Sequence, residues 1–97
     1  MFKNYIKTSI TANTTVITGP VGKTTTLIGV TVANTSGVTT VVSVKLGSAY
    51  IVKNATVTSG SSLVPIGGEQ KVVMTAGQIL SVEADYTVDV ICSVLED

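Results

Sequence analysis

Apolar and polar residues take turns along most of this chain. Between Thr24 and Ala33, the residues Thr26, Ile28, Val30 and Val32 fall on one side, and Thr25, Leu27, Gly29 and Thr31 on the other. Thr39–Leu46 sets Val42, Val44 and Leu46 against Val41, Ser43 and Lys45. Ile79–Ala84 sets Leu80, Val82 and Ala84 against Ser81 and Glu83. Thr87–Leu95 sets Val88, Val90, Cys92 and Val94 against Asp89, Ile91, Ser93 and Leu95. Successive side chains of a strand point to opposite faces, so a period of two in β-branched residues predicts half-buried strands. In the last of them Ile91 and Leu95 stand on the polar side, which predicts that this side is covered as well. Helical periodicity is not sustained over any ten residues.

Shorter runs fill the gaps: Thr14–Thr18, Ala49–Lys53 with Tyr50 and Val52 on one face, Thr56–Thr58, Leu63–Ile66 and Gln70–Thr75. Pro65 cannot donate to a ladder and marks an edge or a strand end. Turn residues separate the runs at Gly19-Pro20, Asn34–Gly37, Gly47-Ser48, Ser59–Ser62, Gly67-Gly68, Ala76–Gln78 and Asp85-Tyr86. The pattern predicts an all-β domain over residues 14–97, an antiparallel two-sheet β-sandwich (jelly-roll or Ig-like) of about eight short strands. Residues 1–13 alternate loosely, Phe2, Asn4 and Ile6 against Lys3, Tyr5 and Lys7. They read as the first strand or as an arm on a neighbouring subunit. Phe2, Tyr5, Ile6, Ile91 and Leu95 are the candidate contacts to a second copy or to a shell partner.

Composition sharpens this picture. The 97 residues hold 44% hydrophobic and only 12% charged side chains, with a mean hydropathy of +0.53. A free monomer normally mixes charges of both signs over its surface, whereas interfaces between chains are depleted in charge. Part of the surface is therefore expected to be covered by other chains. Net charge is zero, but Lys3, Lys7, Lys23, Lys45 and Lys53 all precede Glu69, and after Lys71 only acids follow. Such halves suit strand pairing within the fold or head-to-tail contact between copies. There is no Arg, which argues against a nucleic-acid reader. The single Cys92 excludes an intrachain disulfide and alternates with valines, as a buried thiol would. No run approaches the ~20 apolar residues of a membrane span, and the first residues lack an apolar signal core.

Candidate chemistry is sparse. Gly19-Pro-Val-Gly-Lys-Thr24 has the flavour of a phosphate-binding loop, but Ile17 stands where the first glycine is required, and a β run follows instead of a helix. It reads as a turn entering a strand. Glu83, Asp85 and Asp89 match no calcium-loop spacing, and two of them fit outward strand faces. With no His and no serine in an elbow context, a nucleophile would lack its usual base. Asn13-Thr-Thr, Asn34-Thr-Ser and Asn54-Ala-Thr fit the glycosylation pattern and read as turn residues. The expectation is a non-enzyme with no catalytic, metal or cofactor site.

The stretch Lys23-Thr-Thr-Thr-Leu-Ile-Gly-Val-Thr-Val-Ala-Asn-Thr-Ser resembles small virion structural proteins of tailed phages, including cyanobacterial and marine phages. The resemblance continues through Tyr50-Ile-Val-Lys-Asn-Ala, Ser61–Met74, Ala76-Gly-Gln-Ile-Leu-Ser-Val and Val88–Glu96, and so spans roughly residues 15–96. It implies a β-sandwich on the capsid exterior, made in the host cytoplasm, a decoration or cement protein that bridges major capsid subunits and assembles with itself, as a trimer. A neck, collar or tail-fibre attachment protein is the alternative within the virion. A carbohydrate- or host-surface-binding module is the alternative of another class, since one fold serves many functions. Against the latter, there is no Trp and only three Tyr to offer ring platforms.

Overall fold

The computed structural model describes residues 1–67 and 71–97. Among them, nine strands run in chain order: β1 (Phe2–Ile10), β2 (Thr14–Thr18), β3 (Thr25–Asn34), β4 (Thr40–Leu46), β5 (Ala49–Val57), β6 (Ser62–Ile66), β7 (Val72–Met74), β8 (Ile79–Ala84) and β9 (Val88–Glu96). They form two antiparallel sheets. One has the order β1-β9-β3, with β6 and β7 both paired to the far side of β3; the other has the order β2-β8-β4-β5. The chain is thus an all-β, two-sheet sandwich, as the alternation predicts. The turn expected at Gly67-Gly68 and the start of the strand expected from Gln70 lie partly outside the described residues.

The core is the sum of the inward rows. In β9, Val88, Val90, Cys92 and Val94 are buried, and Leu80, Val82 and Ala84 of β8 face them from the other sheet with Val42 and Val44 of β4. Met74 and Ile66 close the far side. No ring fills this interior; aliphatic side chains supply its cohesion, each fully buried one contributing about 1.5–3 kcal/mol of transfer free energy.

Three readings of the sequence are corrected, and β-bulges explain two of them. In β3 the buried residues are Thr25 and Leu27, then Val30, Val32 and Asn34. Leu27 pairs with Val94 and Gly29 with Ser93, so Ile28 and Gly29 together use one step of β9. That extra residue inverts the phase, and Val30 and Val32 join Leu27 rather than Ile28. In β5 the pairs Val44↔Val52 and Lys45↔Tyr50 leave Ile51 as an extra residue. Tyr50 and Val52 therefore face opposite ways. The third correction is that β5 continues as one strand to Val57, through Asn54 at a φ of 54°. There the Ser43 hydroxyl accepts the Asn54 N–H at 2.9 Å, which holds the left-handed residue inside the strand.

Asn34, at the end of β3, fastens the loops at this end of the sandwich. It is buried, and its amide nitrogen donates to the carbonyls of Val38 at 2.8 Å and Val57 at 2.9 Å. Its side-chain oxygen accepts from the Ser36 backbone N–H at 3.0 Å and from the Ser36 hydroxyl at 2.6 Å. Both amide hydrogens are committed inside the protein, so Asn34 is a structural residue.

Candidate interaction surface

Phe2–Ile10 form a strand of the sheet. β1 lies antiparallel to β9, with Phe2↔Leu95, Asn4↔Ser93 and Ile6↔Ile91 directly opposite. On its other side β9 pairs with β3 as Leu95↔Thr26, Ser93↔Gly29 and Ile91↔Thr31. Thr26 in turn pairs with Val73 of β7. Residues opposite one another in a ladder share a face. Three parallel rows thus cross the outer face: Phe2–Leu95–Thr26–Val73, Asn4–Ser93–Gly29 and Ile6–Ile91–Thr31.

The outer two rows carry the apolar side chains. Phe2 is 74% exposed, Ile6 59%, Val73 54% and Ile91 47%, and Leu95 is half-buried. The middle row is polar and small, with the Ser93 hydroxyl donating to Asn4 Oδ1 at 2.8 Å. The two apolar rows stand four residues apart, about 13 Å at strand rise. No charged side chain lies in the three rows.

Four of the five candidate residues, Phe2, Ile6, Ile91 and Leu95, come together here. Tyr5 does not. It points inward opposite Cys92, packs on the core edge, and donates its hydroxyl to the Glu96 carboxylate. Lys3 sits beside it, with Nζ 5.0 Å from the ring centroid and 3.7 Å from Glu96 Oε1. Val73 is the surface residue that sequence reading missed. It lies in an apolar triplet, Val72-Val73-Met74, too short to reveal which member faces out.

The other sequence candidates disperse. Gly19–Thr24 is a turn with Gly22 at a φ of 76°, and it leads into β3. Gly19 is clamped to the β7–β8 turn: its N–H donates to Gln78 O at 2.8 Å, and its carbonyl accepts from Gly77 N–H at 2.9 Å. A Cβ there would stand 2.2 Å from the Thr75 carbonyl oxygen. Glu83 lies on β8 and Asp89 on β9, in different sheets, and Asp89 accepts the Ser9 N–H at 2.9 Å. No group of three metal-ligating side chains is found among the described residues. Cys92 is buried, and that burial pushes its thiol up to about 11. No protein-family model, curated protein or solved structure matches the chain.

Proposed function

We propose that this chain is a virion structural protein of a tailed phage, a decoration protein that lays the outer face of its β1-β9-β3 sheet on the capsid shell. The observation that carries the reading is that face. Phe2, Ile6, Ile91, Leu95 and Val73 present apolar surface in two rows free of charge, on a chain with only 12% charged residues. Exposed apolar rows framed by polar groups mark surfaces that meet another protein. The resemblance of residues 15–96 to small phage virion proteins supplies the partner, the major capsid protein. The work is mechanical, not catalytic: each copy bridges shell subunits, and many modest contacts add up over the shell.

The test is the copy number of the chain in purified virions, measured by quantitative mass spectrometry against the major capsid protein. A fixed ratio close to that of the shell protein supports decoration. A few copies per particle assign the chain to the neck, collar or tail, and absence from particles overturns the virion reading. Ile91→Lys places a charge in the Ile6–Ile91–Thr31 row at an exposed site and is expected to release the protein from the shell with its fold intact.

A further inference from the structure

The free edge of β1 is unlike the other edges of the sandwich. β2 is interrupted by a bulge at Val16, β5 by bulges at Ile51 and at Lys53-Asn54, and β6 by a bulge and by Pro65, while β7 is regular but only three residues long. Bulges and proline blunt an edge against further pairing. β1 keeps an unbroken register from Phe2 to Lys7, and every residue from Phe2 to Ser9 except Tyr5 is exposed. Its break comes only at Thr8-Ser9, where Ser9 takes a φ of 54°. Among the described residues β1 pairs with β9 alone.

The ladder also fixes which backbone groups look outward. Glu96 N–H donates to Met1 O at 2.9 Å, so Met1 and the residues in phase with it, Lys3, Tyr5 and Lys7, turn their peptide groups toward β9. In an antiparallel strand the alternate residues turn theirs the other way. The N–H and C=O groups of Phe2, Asn4 and Ile6 therefore point to the open edge.

We infer that β1 pairs with β1 of a second copy, antiparallel, across a two-fold axis at Asn4. The sequence of the strand chooses that register. With Asn4 opposite Asn4, Phe2 of each copy faces Ile6 of the other, and Lys3 faces Tyr5. A centre at Lys3 sets two Lys3 ammonium groups against each other, and a centre at Tyr5 sets Lys3 against Lys7; like charges directly opposite are destabilising. A centre at Ile6 runs Lys3 into the Ser9 bulge. The Asn4 register makes about six backbone hydrogen bonds from the outward groups of Phe2, Asn4 and Ile6. It sets Lys7 of each copy opposite Met1 of the other, whose ammonium is already paired with Asp97 at 3.3 Å. The Phe2 and Ile6 rows of the two copies become continuous. A two-fold contact of like edges closes on itself, whereas a trimer would have to join β1 to an interrupted edge or to the three-residue β7. This inference does not rest on the virion reading.

Light scattering of the purified protein is expected to give twice the chain mass. Asn4→Pro removes the outward donor at the axis and spares the β9 ladder, so it is expected to give a monomer with the far-ultraviolet spectrum of the parent. Asn4→Cys places two thiols across the axis at a Cα separation of about 5.5 Å, within disulfide reach, and is expected to cross-link under mild oxidation. Phe2→Cys, whose counterpart faces Ile6, is expected not to. A parent protein that is monomeric or trimeric overturns the inference, as does an Asn4→Cys chain that cross-links no better than Phe2→Cys.

Discussion

The hydroxyl of Tyr5 donates to the carboxylate of Glu96, joining the first strand to the end of the last. That bond raises the pKa of the phenol, with burial adding in the same direction. Lys3 is raised too, first by its contact with Tyr5 and then by the Glu96 charge. The raised phenol binds its proton more tightly in the folded chain. Its stabilisation is complete below the ordinary tyrosine value of 10.0 and is lost as pH rises through the folded value. The Lys3 contribution runs the same way. Tyr5→Phe is expected to cost about 1 kcal/mol at neutral pH, below the roughly 1.5–3 kcal/mol of a buried charge-assisted bond because solvent reaches this site. Urea unfolding at neutral and alkaline pH checks this, and the gap between parent and variant should close as the medium becomes strongly alkaline. A constant gap would remove the hydroxyl from the account.

Asn34 offers a sharper test. Asn34→Asp keeps the shape but removes both donors to Val38 O and Val57 O and sets a buried carboxylate against two carbonyls. A loss of about 3 kcal/mol or more is expected from the unpaired acceptors and the buried charge. Urea denaturation measures it, and Asn34→Ala should fall between parent and Asp. Near-parental stability of the Asp variant would contradict the network.

Thr25 carries a liability that can be removed. Its Oγ1 is buried on β3 with no hydrogen-bond partner among the described residues. Thr25→Val keeps the branched shape and deletes the orphaned hydroxyl, so a gain of about 1 kcal/mol is expected. A drop in the thermal midpoint would reveal a partner for that oxygen.

Cys92 is expected to be silent toward aqueous thiol reagents until the chain unfolds. Burial raises its pKa from 9.0 to about 11. The unfolded thiol ionises first, so stability is intact below pH 9 and falls by roughly 2–3 kcal/mol by pH 11. Thiol titration of the native protein against the denatured protein checks the first point. Rapid native labelling near neutral pH would contradict it.

How much was legible depended on whether a strand was regular. The faces of β8 and β9 follow their unbroken alternation, and Ile91 and Leu95 stood out because they interrupt a polar row. The phase of β3 was lost at Ile28-Gly29, although a glycine within a strand is itself a bulge signal. In β5 the extra residue is Ile51, and no local chemistry marks it. Phe2 and Ile6 were readable as one face of β1. Their alignment with Leu95 and Ile91 depends on β1 meeting β9 in one register, a pairing across nearly the whole chain that local pattern does not encode. Tyr5 was grouped with them as an aromatic residue, but its hydroxyl finds a partner inward at Glu96.

The position of β9 between β1 and β3 has a consequence for how the protein is made. The two strands of that sheet synthesised first, β1 and β3, cannot touch each other, because the space between them belongs to β9, which follows far later in the chain. On the ribosome Val30, Val32 and Ile10 must wait, unshielded, until Val88, Val90 and Cys92 emerge. Pairings this distant in sequence close slowly, and exposed strands invite wrong partners meanwhile. Folding of this domain therefore waits for its ninth strand and is most vulnerable when many copies are synthesised at once.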